Sequence, residues 1–383
     1  MAYKKKLELY FHIPFCARKC LYCDFLSAPA DEDTQRAYME ALLAEMEGRA
    51  DEYRDYRVSS VFIGGGTPSI IANEWVEKLL FAMGERFALQ EDAEITIEVN
   101  PGTVDEEKLL CYKKAGINRL SIGLQSASDE ELEVLGRIHH YGQFLETYEA
   151  ARRAGFDNVN VDVMSALPGQ SMESYEETLY KLIHLKPEHI SAYSLIVEEK
   201  TPFYEMWQAG TLRLPDEDCD RRMYERTKEI LGAAGFERYE ISNYAKEGYA
   251  CRHNMGYWQR TDYIGFGIGA ASLFENRRFR NGDSLKNYLA APLLCREEES
   301  LLTVEEQMAE FLFLGLRMTR GVSYERFQQV FNRDMEQVYG EVIIKNREDG
   351  LLREYTVDST KERFLALTDK GIDVSNYVMA QFL

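Results

Sequence analysis

No stretch of this 383-residue sequence approaches the roughly 18 consecutive apolar residues that span a bilayer. Its basic start, MAYKKKLELYF, lacks the apolar core of a signal peptide, because Glu8 interrupts it and a strand pattern follows. A cytoplasmic location with no transmembrane segment is the expectation. Positive charge is scarce: 45 Lys and Arg stand against 65 Asp and Glu, for a net charge of −20. A field of that sign repels a phosphate backbone, so nucleic acid is not an expected partner. Disulfides are not expected either. The seven cysteines are an odd number, and Cys111, Cys219, Cys251 and Cys295 lie far apart. The glycine run GGGTP lacks the Lys-Ser/Thr ending of a Walker A loop, and no C-x-x-C-H exists for covalent heme attachment. Low-complexity segments and long repeats are also missing.

What is present is an alternation. Short apolar or alternating runs at 7–13, 58–63, 93–99, 118–124, 158–164 and 189–196 are separated by helical patterns near 33–50, 73–86, 105–115, 142–154 and 173–184. Gly116 and Gly155 close two of those helices. Six strands alternating with helices predict an α/β fold, a partial (β/α)6 TIM-like barrel over about 1–200. A helix at 216–235 completes a barrel domain of 1–235. The stretch 236–299, rich in Gly, Asn and aromatics, reads as an α/β extension of strands and loops. The pattern helix, helix, turn and hairpin predicts a small, helix-rich, winged-helix-like domain at 300–383.

Chemistry in such barrels gathers at the C-terminal ends of the strands. There the sequence places HIPFCARKCLYCDF after strand 1, GGGTPS after strand 2, EVNP closing strand 3, GLQS closing strand 4, and Asp162 in strand 5. Cys16, Cys20 and Cys23 are spaced C-x3-C-x2-C. Structural zinc takes four protein ligands, and His12, the available fourth, lies inside strand 1. A [4Fe-4S] cluster held by three thiolates leaves one iron open, and the spacing favours it over zinc. An unligated trio ranks third. Taken alone, GGGTP is a tight strand-to-helix turn; beside an open iron, its glycines let backbone approach a ligand.

These motifs resemble the radical S-adenosylmethionine (SAM) superfamily, in which SAM chelates the open iron. LYFHIPFC, GGGTPS, IEVNP, LSIGLQS, LGRIH and VDVMSALPGQ are similar to a narrower group, the oxygen-independent coproporphyrinogen III oxidases and their relatives. The resemblance covers most of the chain and implies the radical SAM barrel. It implies Cys16, Cys20 and Cys23 as cluster ligands. Tyr10, Gly65, Gly66, Thr67 and Glu98 are then expected at the cluster-bound SAM. Tyr22, Gln125, Arg137 and Asp162 match positions that hold a second SAM in the oxidase, and Ile196 falls where a backbone contact to SAM is expected.

One departure separates two readings. The oxidase pattern ends in a fourth cysteine where this sequence has Phe25. The sister family of heme chaperones, HemW, shares that departure and carries H-N-x-x-Y-W, here His253, Asn254, Tyr257 and Trp258. That resemblance implies a heme-binding protein that passes heme to unidentified acceptor proteins, with no catalytic residue assigned. The oxidase is the alternative. Without the family, HNMGYW reads as a loop with aromatics packed into the core. With it, His253 becomes the expected axial donor, and Tyr257 and Trp258 offer flat faces to a porphyrin. Cys251 is the other nearby donor, though a small buried residue is its plainer reading. GFGIGAAS at 265–272 lacks the acidic partner of a dinucleotide fingerprint and reads as a close-packed turn at the barrel mouth.

Overall fold

A computed structural model describes residues 5–383. The six expected strands lie side by side in chain order, all parallel, within one sheet. They are β1 (Lys5–Ile13), β2 (Tyr56–Gly65), β3 (Leu89–Val99), β4 (Arg119–Gln125), β5 (Val159–Ser165) and β6 (His189–Ser194). Between them run α1 (Glu32–Arg49), α2 (Asn73–Arg86), α3 (Glu106–Ala115), the unanticipated short α4 (Asp129–Val134), α5 (Tyr141–Arg153) and α6 (Met172–Leu185). Side chains that cap helix N-termini fix the strand-to-helix turns: Asp31, Asp105 and Ser171 each accept from a backbone N–H one turn into the helix. Gly116 caps α3 at φ 107°, as its position at the end of the helical pattern predicts.

The barrel does not close on itself. After β6 come α7 (Pro202–Gln208), α8 (Glu217–Ala233) and the short strands β7 (Glu237–Arg238) and β8 (Asn243–Ala245), and β8 pairs antiparallel with β6. Then follow α9 (Arg252–Trp258), β9 (Tyr263–Phe266), β10 (Ala271–Phe274), β11 (Arg277–Asn281), α10 (Leu285–Ala290) and β12 (Arg296–Leu301). Strand β9 joins the free edge of β1 in parallel, so the sheet runs to twelve strands with β12 and β7 at its ends. HNMGYW is therefore not a loop; it forms most of helix α9. GFGIGAAS is the expected tight turn: Gly267 has φ 98°, and a Cβ on it would overlap the Tyr38 hydroxyl.

The strands alternate in a way that fixes the site. Leu7, Leu9 and Phe11 on β1, Ile95 and Ile97 on β3, Leu120 and Ile122 on β4, and Val159, Val161 and Val163 on β5 belong to the main apolar core with residues of the surrounding helices. The intervening residues face inward, and many are polar: Tyr10 and His12, Thr96 and Glu98, Arg119 and Ser121, Asn160 and Asp162. Period 2 thus puts an apolar face on the helices and a polar face in the barrel.

Residues 308–382 supply a second core, including Leu312, Phe327, Ile343 and Leu365. It packs α11 (Val304–Gly315), β13 (Val322–Ser323), α12 (Tyr324–Phe331), α13 (Met335–Glu348), β14 (Leu352–Thr356), β15 (Arg363–Leu367), α14 (Asp369–Asp373) and α15 (Ser375–Ala380). The order helix, strand, helix, helix, hairpin, with the three strands in one sheet, is winged-helix-like. Glu310 of α11 ties this region to the sheet through Arg260 at 2.9 Å and Arg278 at 2.7 Å. Among the described residues no helix is long and apolar enough to cross a membrane.

Candidate functional site

The cysteine loop lies over the C-terminal ends of the strands, pinned on several sides. Leu21 N–H donates to Leu135 O at 3.0 Å, and Phe203 N–H at the start of α7 donates to Leu21 O at 3.1 Å. Arg18 reaches Gly136 O at 2.7 Å, and Lys19 reaches Phe25 O at 2.9 Å. Cys16 is buried; Cys20 and Cys23 are half-buried, and all three are free thiols. They share a cavity of about 140 Å³ with Gly65, Gly66, Thr67 and Arg137. Among the described residues no three His, Cys, Asp or Glu side chains converge tightly enough for a single metal ion. One zinc needs four donors within about 2.3 Å of a point. A four-iron cluster binds its thiolates through different irons and so accepts a wider trio. The soft donor set and the cavity beside it fit such a cluster.

The glycine turn is packed hard against this loop. Gly66 N–H donates to Ile13 O at 2.8 Å, Thr67 N–H donates to Phe15 O at 2.7 Å, and a Cβ on Gly66 would lie 2.5 Å from Phe15 O. Gly65 N–H donates to Glu98 Oε2 at 3.0 Å. Burial, and then the neighbouring Asp162, push the Glu98 carboxyl up to about 8. Arg137 turns into this cavity. Its guanidinium donates to Gly123 O at 2.8 Å and Asn100 Oδ1 at 3.0 Å, and lies 3.7 Å from Cys20 Sγ. Gln125 adopts φ 72° at a register shift between β4 and β5, a strained position of the kind that collects at sites.

A second cavity of about 440 Å³ continues into the barrel and shares Tyr22, Phe25, Glu98, Ser121, Gln125 and Asp162 with the first. Tyr10, Phe62, Tyr193 and Tyr257 give it aromatic walls; Arg119, Ser121, Asn160 and Ser191 give it polar ones. Helix α9 lies against the inward faces of β2 and β3. The Arg252 and His253 N–H groups donate to Glu94, and a Cβ on Gly256 would overlap the Glu8 carboxylate, so only glycine lets the helix sit this close.

The expected heme motif is divided by helical periodicity. His253, Asn254 and Tyr257 share the face that lines the cavity, whereas Trp258 lines a different groove, of about 620 Å³, with the Arg317 guanidinium 4.4 Å over its ring. Tyr257 and Trp258 therefore do not present one porphyrin face. His253 is 1% exposed and stacks on Phe62. Its Nδ1 meets Ser60 Oγ at 2.9 Å and its Nε2 meets Tyr257 Oη at 2.9 Å. Burial, then Arg119, lower its pKa to about 3, so the ring is neutral. Cys251 is fully buried with its thiol pushed up to about 12, in keeping with its plainer reading.

Ile196, expected to touch SAM through its backbone, has an exposed side chain, 67%, and lines neither cavity. His139 is buried with Nε2 3.3 Å from Leu124 O, and His140 caps α5. His12 is committed to Leu26 O at 2.9 Å and the Tyr10 hydroxyl at 3.0 Å. Sequence reasoning missed Arg119, Ser121, Asn160, Ser191 and Asn100. The first four alternate with apolar core positions on β4, β5 and β6, which is the signal that could have found them.

A model of the radical SAM superfamily matches residues 10–182, and a model of the HemN C-terminal domain matches residues 302–374. The chain is 37% identical to heme chaperone HemW of Bacillus subtilis, with 98% of each chain covered. It is 36% identical to heme chaperone HemW of Lactococcus lactis, over 99% of this chain and 98% of that one. The solved structure of coproporphyrinogen III oxidase (HemN) from Escherichia coli superposes over 99% of this chain and 90% of its own, with a TM-score of 0.84 at 23% identity, a likeness of fold. Identity of this extent along the whole length, on that fold and with that cysteine loop, means that the chain belongs to the HemW family of the radical SAM superfamily.

Proposed function

We propose that this protein binds heme and passes it to acceptor proteins in the cytoplasm, on a scaffold that holds a [4Fe-4S] cluster and SAM. The observation that carries the reading is one cavity with two unlike walls. Phe25, 60% exposed, stands where the oxidase pattern has a cysteine, and α9 contributes His253, Asn254 and Tyr257. The relatives named heme chaperone HemW support it along the full chain.

Cys16, Cys20 and Cys23 would hold the cluster. Gly65, Gly66, Thr67, Tyr10 and Glu98 would cradle the cluster-bound SAM, with Glu98 accepting from its amino or hydroxyl groups. Tyr22, Gln125, Arg137 and Asp162 would serve a second SAM. When bound, the cluster and SAM supply one-electron chemistry at the open iron. For heme, His253 is the proposed donor. Its ring is neutral, as ligation requires, and Ser60 fixes Nδ1 so that Nε2 is the nitrogen left for a metal. Tyr257 must then release Nε2.

The oxidase reading keeps support from the intact set Tyr10, Glu98, Gln125, Arg137 and Asp162 around one mouth. Anaerobic cluster reconstitution, followed by heme titration and a coproporphyrinogen assay, separates the two. The chaperone reading expects iron and sulfide, one heme per chain, and no conversion at the 1–10³ per second order typical of enzymes. Conversion at such rates without heme binding overturns it.

A further inference from the structure

The floor of the barrel cavity holds a charge that the cluster, SAM and heme assignments above leave unused. Arg119 is the first residue of β4, paired with Thr96 of β3. It is 2% exposed, and its guanidinium lines the cavity. Among the described residues its guanidinium makes no hydrogen bond and no ion pair, and its Nε is sealed without an acceptor. A buried guanidinium with five donors and no acceptor is costly unless an anion joins it.

The nearby carboxylates are already occupied. Glu94 accepts from the Arg252 N–H at 3.0 Å, the His253 N–H at 3.3 Å and the Cys251 thiol at 3.4 Å. Asp162 accepts from Asn160 at 2.7 Å and Ser121 at 3.3 Å. Both act on Arg119 only through space. Arg119 also lies deep. Gly123, whose partner is Asp162, is four steps further along the strand, which is a drop of about 13 Å at ~3.3 Å per residue.

We propose that Arg119 is the carboxylate receptor of the barrel cavity, gripping an organic acid whose flat apolar body lies between the aromatic walls. The planar guanidinium fork matches a carboxylate through two parallel hydrogen bonds. Phe62 and Tyr10, stacked at 6.4 Å, suit a flat body rather than a bare inorganic anion. The carboxylate has two sources in the proposed function, the methionine end of SAM or a propionate of the tetrapyrrole. The inference rests on that function only for naming these two.

The test measures affinity for three matched pairs on the reconstituted protein: 2-naphthoate against 2-naphthamide, SAM against decarboxylated SAM, and heme against its dimethyl ester. Wild type should prefer the acid of at least one pair by roughly 10- to 150-fold, the range of a hydrogen bond to a charged group. Arg119→Gln should abolish that preference while leaving affinity for the uncharged partner unchanged. Arg119→Lys, which keeps charge but not the fork, should reduce it by less. The pair affected identifies the source. Loss of both members of a pair together is the mark of a merely structural residue and overturns the proposal. So does a preference that survives Arg119→Gln, or no preference in any pair. If Arg119→Gln does not fold, the wild-type pairs and Arg119→Lys decide. Wild type that binds neither SAM nor heme sinks the proposed function, while the naphthoate pair still decides the role of Arg119.

Discussion

Replacing Tyr257 by Phe should tighten heme binding, which runs against the usual effect of editing a binding motif. His253 Nδ1 meets Ser60 Oγ at 2.9 Å; with the ring proton on Nδ1, Nε2 carries the lone pair that a metal takes. Tyr257 Oη lies 2.9 Å from Nε2 and, in that tautomer, donates to its lone pair. An iron that takes Nε2 must first displace this bond. A net hydrogen bond contributes about 0.5–1.5 kcal/mol. Tyr257→Phe keeps the ring and removes the competitor, so the heme association constant should rise by roughly 2- to 13-fold. The ring pKa of about 3 adds no protonation step between pH 5 and 8, so the gain should be flat with pH there. Heme titration followed at the Soret band measures this, with His253→Ala as the partner experiment, expected to weaken binding and move the band. Weaker binding in Tyr257→Phe, or an unmoved band and affinity in His253→Ala, refutes the reasoning and removes His253 as the donor.

Cys20→Ala should lose iron and sulfide after reconstitution yet keep the cofactor-free melting temperature, because among the described residues this half-buried thiol's one hydrogen-bond partner is Arg137, at 3.7 Å; stoichiometric zinc in wild type would count against the cluster. Glu98 is mostly protonated at pH 7, its pKa being about 8, and a cationic ligand favours the ionised form, so SAM binding should release a proton and strengthen as pH rises from 7 to 9. Calorimetry in buffers of different ionisation enthalpy reads the proton, and Glu98→Gln should flatten the profile. His139 has its pKa lowered to about 3, chiefly by burial, against about 6.5 unfolded. The unfolded chain therefore binds a proton below pH 6.5 that the native ring refuses, and stability is lost as pH falls from 6.5 toward 3. Relative to His139→Gln, wild type should lose up to about 2 kcal/mol between pH 7.5 and 5 in urea unfolding; parallel curves would contradict it.

Much of the fold was legible because its signals are local. Closing glycines and period-2 runs placed six strands and their helices, and β1 to β6 carry apolar residues on the helix side at alternate positions, broken once on β2 by a register shift after Val58. The cysteine loop was equally local: three soft donors within eight residues need no partner from afar to be noticed. HNMGYW was less well read, because six residues with a glycine inside fix neither helix nor loop. In the fold it is helical and packs against Glu8 and Glu94, and its 3.6-residue turn sends Trp258 away from Tyr257.

The sequence by itself determined the donors, the order of the strands and the end of the barrel where the chemistry collects. The tertiary structure decided what faces what. Alternation along a strand says that Arg119, Ser121, Asn160 and Asp162 share a face with their neighbours, yet it leaves open whether that face meets solvent or a cavity. The curvature of β1 to β6 turned it inward, and α9 lodged against β2 and β3 beneath it. Arg137 likewise meets Cys20 only because the loop after β4 folds over the cysteines. The reason is physical: periodicity is a property of consecutive residues, whereas burial and charge pairing depend on contacts between segments that are distant in sequence.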